Sequence, residues 1–413
     1  MTAAGSPARK PDSLLLVLML GVHSKDGRVY IESQAANGLA QWLRNFGSMT
    51  LAVKLLPGDP PADHLAIDSL GFGERLSLFL MPPAWTPLEY LRAYPDMSRK
   101  LSALIDSHEY LHFTNSVIWG DWGGTGALIA ARKGRKACYW TDRVESAIAR
   151  VEAERRTGVR RLFGLFTAWL TERRERAVLR RTALGLFHGH DTFTAYSPYT
   201  RNPHLVHNIH IKPADQIGPD ALAAKIAALS APPAPPLDIV YAGRVHPDKG
   251  VMDWIETLRL CAQAGLVFRA RWFGDGPQLA EARARVEALG LADRISFPGA
   301  LTDRAKLLAA LRAAHVMLFC HLTPESPRCL IEALVSGTPI VGYGSAYPED
   351  LVAAHGGGLL TAMDPAALSK ALLGLAQDRQ ALGLLCEKAR QDGAGMTDEA
   401  VFDHRAQLMK TYL

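Results

Sequence analysis

The residues with the clearest chemical potential lie in the second half of this 413-residue chain. An apolar run ends in Gly243-Arg244-Val245-His246-Pro247-Asp248-Lys249-Gly250. Two cations five positions apart across a turn can converge on one anionic group such as a diphosphate, and Gly243 lets backbone approach a ligand closely. A solvated turn with two ordinary surface cations accounts for the same residues. The next apolar run ends in Phe273-Gly274-Asp275-Gly276-Pro277. That reads first as a strand-to-helix turn, although open α/β sheets bind ligands beyond the carboxyl ends of their strands. A third run opens into His321-Leu322-Thr323-Pro324-Glu325-Ser326-Pro327-Arg328. Ser326 and Pro327 have the signature of an N-cap and a first turn, which predicts an anion site at the amides of Arg328, Cys329 and Leu330. Glu332, about one and a half turns in, is a candidate for holding a ribose diol, with an ordinary surface glutamate as the alternative. For Glu325 the alternative is a partner of the helix dipole.

Short β-rich runs alternate with helical stretches throughout, the pattern of α/β folds with parallel sheets. In the first half the predicted strands are 14–22, 49–55, 76–81, 116–119, 137–140, 183–187 and 203–212, with a helix over 30–43. Ala231-Pro232-Pro233-Ala234-Pro235-Pro236 is too proline-rich for helix or central strand and reads as a linker. Strands at 237–242, 267–273, 294–298, 316–320 and 339–343 follow, each with a helix-compatible stretch after it. The expected plan is a first doubly wound domain over 1–230, the linker 231–236, a second over 237–396 and a terminal helix over 397–413 that caps the second domain or crosses back to the first. A cleft is expected between the two domains.

Composition bounds the function classes. With 48% apolar and 21% charged residues the chain is an ordinary globular protein able to bury large cores. Five cysteines without a CxxC pair indicate neither a disulfide framework nor a zinc site, and make the reducing cytoplasm the default compartment. The longest apolar run, Leu14 to Val22, is about half of the roughly 20 residues a spanning helix needs. It lacks a small-x-small cleavage site and reads as a first strand rather than a signal peptide. The net charge is +5, yet Arg132 to Arg181 holds fifteen cations against six carboxylates. One basic face toward one anionic partner fits better than a general polyanion binder, and no nucleic-acid module is present.

Taken in order from Leu237 to about Gly393, the Gly-Arg then Lys-Gly loop, Gly-Asp-Gly-Pro, the Glu325 loop and Glu332-Ala333-Leu334 followed by Ser336-Gly337-Thr338-Pro339-Ile340-Val341 resemble the donor domain of family 4 glycosyltransferases. These are retaining enzymes of the GT-B fold, with two Rossmann-like domains. The resemblance implies that Arg244 and Lys249 hold the donor diphosphate, that Glu332 binds ribose and that Glu325 lies beside the donor sugar. It also assigns Gly243, Gly274 and the backbone of Ser326, Arg328, Cys329 and Leu330 to the donor pocket. The sequence departs from the family in two places: six residues rather than seven separate the two glutamates, and Pro327-Arg328 stands where a small glycine-containing loop is usual.

The first half resembles the family weakly. Its candidates are Gly21, in a loop expected at Gly21 to Arg28, and Asp121 within Trp119-Gly120-Asp121-Trp122-Gly123-Gly124, where many relatives carry a histidine near the transferred sugar. A plain turn, and a glycine-rich turn packing two tryptophans, explain these stretches equally. Asp142 with Arg143 is a third, weaker candidate. No two aspartates stand two apart, so a DxD metal pair is absent and metal-independent catalysis is expected, with no cofactor beyond a UDP- or GDP-sugar. The stretch from Arg160 to Leu170, flanked by further arginines, fits a helix lying on anionic lipid as well as a core helix with solvated ends. The expectation is a retaining transferase acting from a nucleotide sugar on a glycan or lipid-linked acceptor, cytoplasmic or peripheral at a membrane through 150–181. The alternatives are a catalytically silent subunit of the same fold, or an epimerase or disaccharide synthase built on it.

Overall fold

The computed structural model describes residues 9–413 apart from 302, 324 and 325. The chain divides into two compact units, one running to His210 and taking in Asp398–Leu413, the other Ile211–Thr397.

The first unit contains β1 (Lys10–Lys25), β2 (Arg28–Glu32), α1 (Ser33–Asn45), β3 (Ser48–Leu56), β4 (His64–Ala66), β5 (Leu76–Met81), α2 (Pro87–Ser107), β6 (His108–Thr114), α3 (Trp122–Arg132), β7 (Cys138–Thr141), α4 (Glu145–Glu154), α5 (Gly158–Leu179), β8 (Leu184–His188), α6 (His190–Tyr196) and β9 (Pro203–Val206). Seven strands run parallel in the order β5-β3-β1-β6-β7-β8-β9, and β2 and β4 pair antiparallel along the extension of β1. Leu14 to Val17 are fully buried, as a central parallel strand covered on both faces requires, at about 1.5–3 kcal/mol of apolar burial per side chain. α2 opens on a capping box between Thr86 and Glu89 with Pro87 in the first turn.

The second unit contains α7 (Pro219–Leu229), β10 (Leu237–Ala242), α8 (Val251–Gln263), β11 (Phe268–Phe273), α9 (Leu279–Ala288), β12 (Ile295–Ser296), α10 (Arg304–Ala313), β13 (Val316–Phe319), α11 (Arg328–Val335), β14 (Ile340–Tyr343), α12 (Ala346–Val352), β15 (Gly358–Thr361), α13 (Pro365–Gln377) and α14 (Arg379–Gly393). Its parallel sheet runs β12-β11-β10-β13-β14-β15, so the winding reverses between β10 and β13. Trp254, Trp272 and Phe319 fill the core around β10 and β13. The terminal helix α15 (Asp398–Tyr412) belongs to the first unit. Its Phe402, Ala406 and Met409 pack with Leu14, Leu16 and Trp42, and Arg405 is buried among the rings of Trp42, Trp140 and Phe402.

Several expectations are corrected. The helix expected from Tyr30 starts at Ser33, because Arg28–Glu32 turns back against β1. The strand expected at Ser116 to Trp119 is loop, and the strand is His108–Thr114, whose polar histidines hid it. The strand from Pro203 ends at Val206 rather than Lys212, and β15 was not foreseen. Residues 211–230 fall in the second unit, and the proline-rich stretch is not the boundary. The chain has already entered that unit at Ile217, whose amide donates to Val335 O at 2.9 Å, and at Lys225, which donates to Thr338 Oγ1 at 2.6 Å.

Candidate functional site

In an open sheet the crevice for a ligand opens where neighbouring strands send their connections to opposite faces, here at the carboxyl ends of β10 and β13. The chain after β10 is fastened on both sides. The Gly243 amide donates to Phe273 O, Val245 to Asp275 O and Leu322 to Asp248 O, each at 2.9 Å. A side chain on Gly274 would start 1.9 Å from Gly243 O, so this close approach requires glycine. Arg244 stands exposed on this scaffold, whereas Lys249 is buried at its far end. The sequence reading of Gly243, Arg244, Lys249 and Gly274 as one cluster corresponds to three loops held together at one edge.

Gly250 sets the direction in which the chain leaves Lys249. Its φ of +65° is left-handed, and a Cβ there would lie 1.9 Å from Cys320 O, at the end of β13. Gly250→Ala is therefore expected to cost about 1–3 kcal/mol, read as a lower urea midpoint at unchanged slope.

His321, which the sequence reading left without a role, is buried beside this loop with its Nε2 2.6 Å from Tyr241 Oη. Burial, reinforced by the charge of Lys249, pushes its imidazole down to about 3. It is neutral in the folded protein at physiological pH. Since an unfolded histidine takes up its proton near 6.5, the unfolded chain binds the extra proton between about pH 3 and 6.5, and stability falls as pH drops through that window. His321→Gln is expected to flatten the pH dependence there by as much as about 1.4 kcal/mol per pH unit, measured by urea titration at mildly acidic pH. An unchanged slope would mean that His321 is already protonated in the folded state.

The helix after β13 differs from expectation at its start. α11 begins at Arg328 with Pro327, not Ser326, as its cap residue, and no side-chain cap bond is made there. The Leu330 amide donates to Pro327 O at 3.3 Å, so it is not one of the free donors that the sequence suggested. Arg328 is exposed and Cys329 half-buried. Glu325 lies outside the described residues. Glu332 is mostly buried, and its Oε1 accepts from Arg304 Nη1 at 3.1 Å, while Arg304 Nε also reaches Asp215 at 3.3 Å. This partner was invisible in the sequence, where Arg304 is one of many helix arginines.

In the first unit, Gly21 sits inside β1 rather than in a loop, and the chain turns at Asp26-Gly27. The apolar alternation simply runs on into β1's hairpin with β2. Gly21 nevertheless lines a cavity of about 410 Å³ at the carboxyl edge, together with Met19, Lys54, Trp85 and Trp119. Lys54 is buried, and that burial lowers its ammonium pKa against the opposing pull of Asp121 and Glu145. Sequence reasoning missed it because a lone lysine in a strand carries no spacing signal.

Asp121 departs from its expected role. It caps α3 by accepting from Gly124 N at 2.9 Å through Oδ1, while Oδ2 accepts from Arg174 Nε at 2.8 Å. Arg174 also donates to Thr125 Oγ1 at 2.6 Å and Tyr90 Oη at 3.1 Å. Both carboxylate oxygens are engaged and the residue is 2% exposed, so its place is structural. Asp142 and Arg143 are exposed, at 3.9 Å from each other.

Residues 236–378 match the family described as Glycosyl transferases group 1. The 2-deoxystreptamine glucosyltransferase of Streptomyces kanamyceticus is 34% identical over 106 residues, 26% of this chain and 27% of that protein. WcaL of Escherichia coli, named for glycosyl transfer in colanic acid biosynthesis, is 31% identical over 167 residues, 38% of this chain and 41% of its own length. The matched stretch thus spans well under half of these curated relatives. Among solved structures, Anabaena HepE in complex with UDP superposes with a TM-score of 0.66 at 16% identity, covering 97% of this chain and all of that one. The chain has the GT-B fold of two Rossmann-like units, and the matches support a place in the GT-B glycosyltransferase superfamily.

Proposed function

We propose that this chain transfers a sugar from a nucleotide-sugar donor to a glycan or lipid-linked acceptor, with retention of anomeric configuration and without a metal. The observation that carries the reading is Lys249, a buried cation in the loop between β10 and α8, which lies beside the point where the winding of the second sheet reverses and is fastened to the loops after β11 and β13. Departure of the nucleoside diphosphate is the hard step, and it builds negative charge on the leaving phosphate. In this proposal Lys249 and Arg244 meet that charge with preorganised cations, aided by the amides at the start of α11. Glu332, oriented by Arg304, is proposed for the ribose, and Glu325 for the neighbourhood of the sugar. Asp121 has no part in the chemistry.

HepE crystals hold UDP and, in another form, UDP-glucose, which makes UDP-glucose the first donor to test here, with GDP-sugars next. The test is calorimetric binding of UDP-, GDP- and ADP-sugars in the presence of a chelator, with proton NMR following the anomer released by slow hydrolysis. One donor class should bind, and the chelator should leave both binding and turnover unchanged. Release of the inverted anomer, or a requirement for divalent metal, would overturn the reading.

The acceptor side of the proposal includes an anionic membrane surface reached through residues 150–181. Val159, Leu162, Phe163, Phe166 and Trp169 of α5 are exposed, and arginines are interspersed among them. This supports the interfacial reading over a core helix. Among the described residues no helix is long and apolar enough to cross a membrane.

A further inference from the structure

A second concentration of positive charge lies in the first unit, and three of its arginines, Arg174, Arg180 and Arg181, belong to the segment 150–181 named above. Arg132, Arg174, Arg180, Arg181 and Arg201 line a single cavity of about 620 Å³ between α3, the end of α5 and the segment before β9. No aspartate or glutamate is among its lining residues. Arg174 is neutralised from behind by Asp121. Among the described residues, Arg132, Arg180, Arg181 and Arg201 have no carboxylate within ion-pair distance. The cavity therefore gathers four uncompensated guanidinium groups.

The position separates this cavity from the one that Lys54 lines. Arg132 ends α3 and Arg180 and Arg181 directly follow α5, helices that have run back from the carboxyl edge of the sheet, and Arg201 lies two residues before β9. The cavity thus extends from the first turn of α3, at Thr125 and Arg174, to the amino-terminal side of the sheet. Cations in a last helical turn complement the helix dipole. That explains an arginine at the end of α3 or α5, but neither Arg201, which lies on no helix, nor the concavity they share.

We infer that this cavity is a second anion site, which takes a phosphate or diphosphate group. Guanidinium forks pair bidentately with phosphate oxygens, and several forks around one cavity match a group that carries more than one negative charge. A single carboxylate would leave most of these charges unanswered. The floor is preorganised, because Arg174 is fixed by Asp121, Thr125 and Tyr90, while the arginines at the rim are exposed, Arg181 donating to Ala177 O at 2.8 Å and Arg180 lying over the Tyr199 ring. The phosphate can be that of a lipid headgroup or of a soluble or glycan-borne ester, and the inference does not depend on the donor reading of the second unit.

The test uses inorganic pyrophosphate and the full chain at physiological ionic strength. Calorimetry on Arg244→Ala/Lys249→Met, which disables the proposed donor site, should still find one pyrophosphate site. Adding Arg132→Gln, Arg181→Gln and Arg201→Gln, all at exposed positions, should weaken that site at least tenfold while the thermal midpoint stays unchanged. Absence of binding in the double variant, or binding in the fivefold variant within twofold of it, would overturn the inference. A second arm measures sedimentation of wild type and the three-arginine variant with phosphatidylcholine vesicles, with and without phosphatidylglycerol. If pyrophosphate displaces the protein from anionic vesicles and the variant loses vesicle binding, the site takes lipid phosphate. If vesicle binding ignores both while pyrophosphate binding is lost, the ligand is a soluble or glycan-borne phosphate.

Discussion

Replacing Lys249 by methionine is expected to lower kcat/KM for sugar transfer by about 10²–10³, the loss that follows removal of one preorganised group facing charge that develops in the transition state. The expectation depends on where the lysine sits. Its ammonium lies in the low-dielectric edge of the second sheet, where a charge acts more strongly than in water. Methionine is nearly as long as lysine and removes the charge together with the three N–H donors. Arg244→Ala, at an exposed position, should leave stability within about 0.5 kcal/mol and still weaken donor binding about tenfold or more. Steady-state kinetics with the donor that binds, paired with thermal unfolding, checks both variants. If Lys249→Met lost stability and activity together, the lysine would be serving the fold.

The largest stability effect is expected in the other unit. Asp121→Ala should destabilise the first unit by about 3–5 kcal/mol, because it strands the mostly buried Arg174 guanidinium and removes the α3 cap at once. That is a large share of the roughly 5–15 kcal/mol that holds a domain together. Arg174→Met should cost a similar amount, and the Asp121→Ala/Arg174→Met double variant less than the sum of the two, since removing both charges leaves neither uncompensated. Urea unfolding of the three variants gives the cycle. Should Asp121→Ala retain its urea midpoint and abolish turnover instead, Asp121 would be catalytic after all.

Much of this protein was determined by the sequence alone. The apolar runs of β1, β5, β10 and β13 were legible because strands covered on both faces must be nearly continuous in apolar residues. The order Gly243-Arg244, Lys249-Gly250 and Gly274 to Pro277 was legible because each stretch follows a strand end, where local spacing already implies a ligand edge. What spacing cannot carry was decided by tertiary contact. β6 begins and continues with His108 and His112, so its burial is a property of its neighbours and not of its own composition. Asp121 looked like a residue at a ligand's edge until Arg174, 53 positions away in sequence, took its second oxygen. The pairing of Glu332 with Arg304 and the burial of Lys54 and His321 arise in the same way, from groups that meet only when sheets and helices pack. The domain boundary followed suit: prolines mark where a chain is stiff, but Ile217 and Lys225 mark where it is held, and the held segment defines the unit. Local pattern specifies which backbone forms and which edge is exposed, while the charge state and availability of each side chain at that edge depend on desolvation and on partners that only the folded chain supplies.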